Sequence, residues 1–164
     1  MGLAQDLLQV AVHLATYEGP NHTQAALRRA VSTAYYALFH LLIRDAAQRW
    51  QGSPAALIGL ERSFQHGSMK EVSFQFQKKE EKWKDWHDDE HTEPPALQRV
   101  AKAFIDLQTN RHAADYNNHE QWSAIEVQAL LETAHAAFDD WLSIRTDPMA
   151  GNYLLAMLIG KKRS

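Results

Sequence analysis

The chain has 164 residues, 45% of them hydrophobic, which is enough for one domain over residues 1–164 with its own apolar core and no linker. It contains no cysteine, so disulfides and thiolate metal sites are excluded, and a reducing cytoplasm is the expected location. With 17 Lys and Arg against 20 Asp and Glu the net charge is −3, so any RNA binding must rest on a local site or a dimer cleft, not on a global basic field.

The N-terminal MGLAQDLLQV lacks the basic start and long apolar stretch of a secretion signal and reads as part of the fold. Leu7, Val10, Ala11 and Leu14 recur at three- and four-residue steps, which predicts an amphipathic helix over Leu3 to Thr16. Glu18-Gly19-Pro20 stops it, and Asn21 or Thr23 can cap a longer helix running to about Trp50. That helix has two apolar faces, one with Leu27, Val31, Tyr35, Leu38 and Leu42, the other with Tyr36, Phe39 and Ile43. Two such faces suit the centre of a bundle.

Gly52-Ser53-Pro54 breaks the chain before a short helix over Ala55 to Phe64, which His66-Gly67-Ser68 ends. Val72, Phe74 and Phe76 alternate like a strand but have no partner strand in sight, so Met69 to about Trp86 reads as helix or irregular structure. The acidic run from His87 is a surface loop. Thr92 or Glu93, before Pro94-Pro95, starts a helix whose stripe is Leu97, Val100, Phe104 and Leu107, ending near Arg111. Asp115 to Glu120 reads as a polar connection, and Ser123 with Glu126 fits a capping box. The helix that follows carries Val127, Leu130, Leu131, Ala134, Phe138, Trp141 and Leu142, and Asp147-Pro148 terminates it. Asn152 to Ile159 suits a last short helix before a solvated Lys161, Lys162, Arg163 tail. The run from Tyr153 to Gly160 is far short of the roughly 20 residues that span a bilayer, so no membrane partner is expected. The fold class that results is all-α, an antiparallel up-and-down bundle of four to five main helices.

Two segments go further. LRRAVSTAYYALFH, Leu27 to His40, resembles the arginine-containing, tyrosine- and alanine-rich first core helix of the HEPN (higher eukaryotes and prokaryotes nucleotide-binding) family, and RHAADY, Arg111 to Tyr116, resembles a second signature of one branch. The resemblance implies a HEPN-like bundle that works as a homodimer and acts as an RNA-binding protein or metal-independent endoribonuclease of toxin or defence type. The other implied role is a non-catalytic dimerisation module that docks an antitoxin or a nucleotidyltransferase. In the implied chemistry a histidine moves the 2′-hydroxyl proton and an arginine stabilises phosphate charge. Here Tyr116 stands where the family spacing has histidine, and the next histidine is His119. Tyrosine ionises near pH ~10 and is a poor base at neutral pH, so weak or absent cleavage is expected unless His119 takes part.

Arg111 continues the apolar stripe of its helix, so its charge needs a partner: Asp115 one turn on, or a phosphate. The implied catalytic residues are Arg111 and His119; the implied substrate-binding residues are Arg111, His112, Asp115 and Tyr116, with Arg28 and Arg29 reaching the same cleft if the helices are antiparallel. Tyr35, Tyr36 and Phe39 read as core, and His40 as a hydrogen-bonded core histidine. His87, Asp88, Asp89, Glu90 and His91 hold ligand-type side chains without ligand spacing, apart from His87 and His91, so no metal or other cofactor is expected. Lys78 to Lys84 with Trp83 and Trp86 suits a charged helix face or a stacking platform for single strands. The apolar residues Tyr153, Leu154, Met157 and Leu158 exceed what a lone exposed helix carries and are a second reason to expect a homodimer.

Overall fold

The computed structural model describes residues 2–16, 22–78 and 92–160. Among these, every regular element is a helix: α1 (Leu3–Thr16), α2 (Gln24–Arg49), α3 (Pro54–Arg62), α4 (His66–Lys78), α5 (Pro95–Tyr116), α6 (Ala124–Ile144) and α7 (Pro148–Ile159). No helix among the described residues is long and apolar enough to cross a membrane. The stacking platform and the His87–His91 cluster lie outside the described residues, apart from Lys78 at the end of α4.

The chain forms two compact units, Met1–Leu41 with Asp106–Phe138 (unit 1) and Leu42–Ile105 with Asp139–Ser164 (unit 2). Each unit draws on two separated stretches of sequence, and all three boundaries fall inside long helices, α2, α5 and α6. No linker therefore shows in the composition.

Unit 1 holds α1, the first part of α2, the end of α5 and most of α6. Along α2, Ala30, Val31, Ala34, Tyr35, Ala37 and Leu38 are fully buried, so both faces of this stretch are covered, as its two apolar stripes require. In α1 the buried residues are Ala4, Leu8, Ala11 and Ala15, one step round from the predicted stripe, and Val10 is 49% exposed. Small alanines allow close approach on that face, and this shifts the helix from the phase its larger residues suggest. The capping box forms: Ser123 N–H donates to Glu126 Oε2 at 2.9 Å, and Glu126 N–H to Ser123 Oγ at 3.1 Å.

In unit 2, α3 and α7 begin alike. Ser53 accepts from Ala56 N–H and Asp147 from Met149 N–H, each followed by proline, whose missing N–H costs nothing at a helix start. His66 opens α4 instead of ending α3, and Val72 to Phe76 is helical. The apparent alternation comes from Val72, Ser73 and Phe76 facing the core of a helix while Phe74 does not. α4 packs on α7. Ser73 Oγ donates to the Met69 carbonyl at 2.7 Å, so the Tyr153 hydroxyl donates to Ser73 Oγ at 2.6 Å, and the Tyr153 ring meets Phe76 at 5.1 Å. α7 starts at Pro148, before the expected Asn152, and Tyr153, Leu154 and Met157 are buried inside the chain. They do not need a second copy to cover them, which removes the apolar-tail reason for expecting a dimer.

Candidate functional site

α5 runs five residues past Arg111, so Asp115 and Tyr116 are helical and not part of a connection. Ala113 and Ala114 favour the helix, and Arg28 of α2 holds its end. Arg28 Nη1 donates to the carbonyls of Ala114 and Asn117, both at 2.9 Å, and Nη2 donates to that of Glu120. These carbonyls have no intrahelical partner, and a cation at a helix C-terminus is favourable. Gln24 adds a second tie, donating to the Trp122 carbonyl at 2.7 Å and accepting from Trp122 N–H at 2.8 Å.

This docking puts Arg111 beside α2. It is only 8% exposed, with its Cζ 5.1 Å from the Tyr35 ring centre and 5.7 Å from that of Tyr36. Ring faces attract a guanidinium and offset part of its lost hydration. Its one ion-pair partner among the described residues, Asp115 Oδ2, is 3.5 Å from Nη1, and the same oxygen accepts from Ser32 Oγ at a long 3.4 Å. Arg111 Nε is buried with no hydrogen-bond partner among the described residues, and so is Gln108 Oε1 one turn earlier. Burial raises the Tyr35 phenol well above its ordinary value; the Arg111 charge opposes the rise and Tyr36 adds to it. Tyr35 is therefore a neutral wall of the arginine's surroundings at physiological pH.

A buried guanidinium with a long, shared ion pair and an unfilled donor is suited to an oxyanion. Arg29 is exposed on α2, and Thr33, Tyr36 and His40 follow it at helical steps along one partly exposed face, which places a second cation on the Tyr36 side of the helix. Tyr116 is 69% exposed, and its ring lies 4.9 Å from that of His112, which is also exposed. The His119 backbone N–H donates to Asn117 Oδ1 at 3.1 Å, while its exposed imidazole has no partner among the described residues. The structure thus brings Arg111, Asp115, Ser32, Tyr35 and Tyr36 together. It commits Arg28 to capping and brings neither His112 nor His119 into contact with the guanidinium. Among the described residues no three His, Asp or Glu side chains come together to hold a metal ion.

Sequence reasoning assigned Tyr35 and Tyr36 to the core and overlooked Ser32 and Gln108. The available signal was phase: Gln108 and Arg111 follow Phe104 and Leu107 on one stripe, so two polar residues occupy core positions. The chain matches no protein-family model, no curated protein and no solved structure.

Proposed function

We propose that this chain is a HEPN-like RNA-binding protein in which Arg111 holds a backbone phosphate. The observation that carries this reading is the buried Arg111 guanidinium, held against two neighbouring tyrosine rings, with no partner for its Nε among the described residues and only a long bond to Asp115. Arg29 adds charge from α2, and Tyr116 with His112 offers an exposed aromatic pair on which a base can stack. With no histidine on the guanidinium among the described residues, metal-independent cleavage is weak or absent in this reading, and His119 is the base if its loop swings in. An antiparallel up-and-down HEPN-type bundle, a homodimer and a cytoplasmic setting belong to the same reading.

The experiment measures binding and cleavage of single-stranded RNA, with and without chelator, by wild type and by Arg111→Ala, Tyr116→Phe and His119→Ala. Loss of binding in Arg111→Ala with the fold intact supports the reading, and selective loss of cleavage in His119→Ala makes the chain a nuclease. A second reading is a non-catalytic HEPN-like docking module for an antitoxin or nucleotidyltransferase. It is favoured by the exposure of Tyr116 and Ile125, both in unit 1. Wild type that neither binds nor cuts RNA would select it.

A further inference from the structure

Unit 2 contains an open cleft of about 450 Å³ lined by Asp45, Gln48, Arg49, Arg145 and Thr146, a volume within the range of small-molecule sites. Asp45 is 6% exposed and both of its oxygens are occupied. Oδ2 accepts from Trp141 Nε1 at 2.6 Å and from Arg145 Nε at 3.0 Å, and Oδ1 accepts from Arg145 Nη2. Asp45 and Arg145 therefore neutralise each other. Asp147, beside the cleft in sequence, is engaged in capping α7.

Arg49 is the surplus cation. Its Nη2 donates to the Arg145 carbonyl, just past the end of α6, and among the described residues no carboxylate lies within ion-pair range of it. Arg49 is exposed to solvent; its partial burial lowers its affinity for its proton, Asp45 partly restores it, and Arg145 lowers it again, while water and an incoming anion can both reach the guanidinium. The guanidinium lies against Gly151, where an added Cβ would come within 2.8 Å of Nη1. A side chain there would displace the end of this exposed arginine from its present position.

The geometry points to a binding site for a small phosphate-bearing anion on Arg49, oriented by the Arg145–Asp45–Trp141 network and flanked by the neutral donors of Gln48 and Thr146. A planar guanidinium matches two phosphate oxygens. The cleft leaves room for an organic group beyond the phosphate. This inference stands apart from the reading of Arg111.

The test titrates the full chain with inorganic phosphate at constant ionic strength, followed by amide chemical shifts, with acetate and a short single-stranded RNA as separate arms. The expected result is saturable phosphate binding with shifts at Thr146 and Gly151. Binding should weaken at least tenfold in Arg49→Gln and in Gly151→Ala, and persist in Arg99→Gln, whose exposed guanidinium in the same unit is already paired with Asp140. Gly151→Ala keeps every charge and favours helix, so it separates the position of Arg49 from any loss of folding in Arg49→Gln. The proposal is overturned if wild type shows no saturable phosphate binding, if Gly151→Ala binds as wild type does, or if acetate binds equally well. RNA saturating the same amides more tightly than phosphate overturns the small-ligand assignment.

Discussion

Two arginine–aspartate pairs, one in each unit, are built with opposite burial. In unit 2 the carboxylate of Asp45 is buried and saturated by three donors, while its partner Arg145 reaches outward with a side chain 39% exposed. In unit 1 the cation Arg111 is buried, and its partner Asp115 is the more exposed member, at 3.5 Å and sharing an oxygen with Ser32. The first arrangement uses up its hydrogen-bonding capacity inside the chain and is structural. The second leaves a buried cation with capacity in hand, which is what a ligand requires. Within unit 1, Arg28 makes the same contrast with Arg111, since its fork is spent on three carbonyls.

The largest effect should come from Asp45→Ala, which leaves the indole N–H of Trp141 buried without a partner and the Arg145 fork empty. We expect a loss of about 3 kcal/mol, read from the urea midpoint; a loss below about 1 kcal/mol would erase the distinction between the two pairs. Arg28→Ala should cost about 2 kcal/mol by freeing the Ala114 carbonyl in the last turn of α5 and those of Asn117 and Glu120 just beyond it, with faster amide exchange from Ala113 to Asn117. Unchanged exchange there would mean that α5 ends without this cap.

Tyr35 gives the comparison a pH dependence. Its folded-state ionisation lies above the unfolded value of ~10, so below that pH both states keep the proton and its contribution is fully present. Above it the unfolded chain loses the proton first, and stability falls by up to about 1.4 kcal/mol per pH unit until the folded group ionises. Tyr35→Phe should flatten that part of the alkaline slope. An identical slope would show that Tyr35 is not held neutral.

The smallest effect should be that of Asp115→Ala. Its partly exposed carboxylate forms a long pair, and the tyrosine rings still face Arg111, so about 0.5 kcal/mol is expected, with RNA affinity kept or raised because a competing anion is gone. A loss above about 3 kcal/mol would instead make the pair a buried structural bridge like that of Asp45.

Much of the fold was legible in the sequence. The two-sided apolar pattern of α2, the Leu97 to Leu107 stripe and the Ser123–Glu126 box each rest on neighbours three or four residues apart, and a helix makes such neighbours touch. For the site, the same periodicity placed Arg111 at a core phase. The readings that differed depended on contacts distant in sequence: the start of α4 at His66, the extension of α5 to Tyr116, and the phase of α1. The division into two units, which cuts α2, α5 and α6, left no mark on the composition.

The sequence by itself determined an all-helical chain, most of its helix ends and the presence of a charge on an apolar stripe, because these follow from local spacing and capping. Only the tertiary structure decided which charges are spent and which are available. Arg28 and Arg111 read alike along the chain, but their partners, the carbonyls of Ala114 to Glu120 and the rings of Tyr35 and Tyr36, lie more than 70 residues away from them. Asp45 likewise meets Arg145 only across the fold. These long-range partnerships are properties of that packing and no local pattern encodes them, whereas the core phase of Arg111 and its Asp115 neighbour one turn on were legible from spacing.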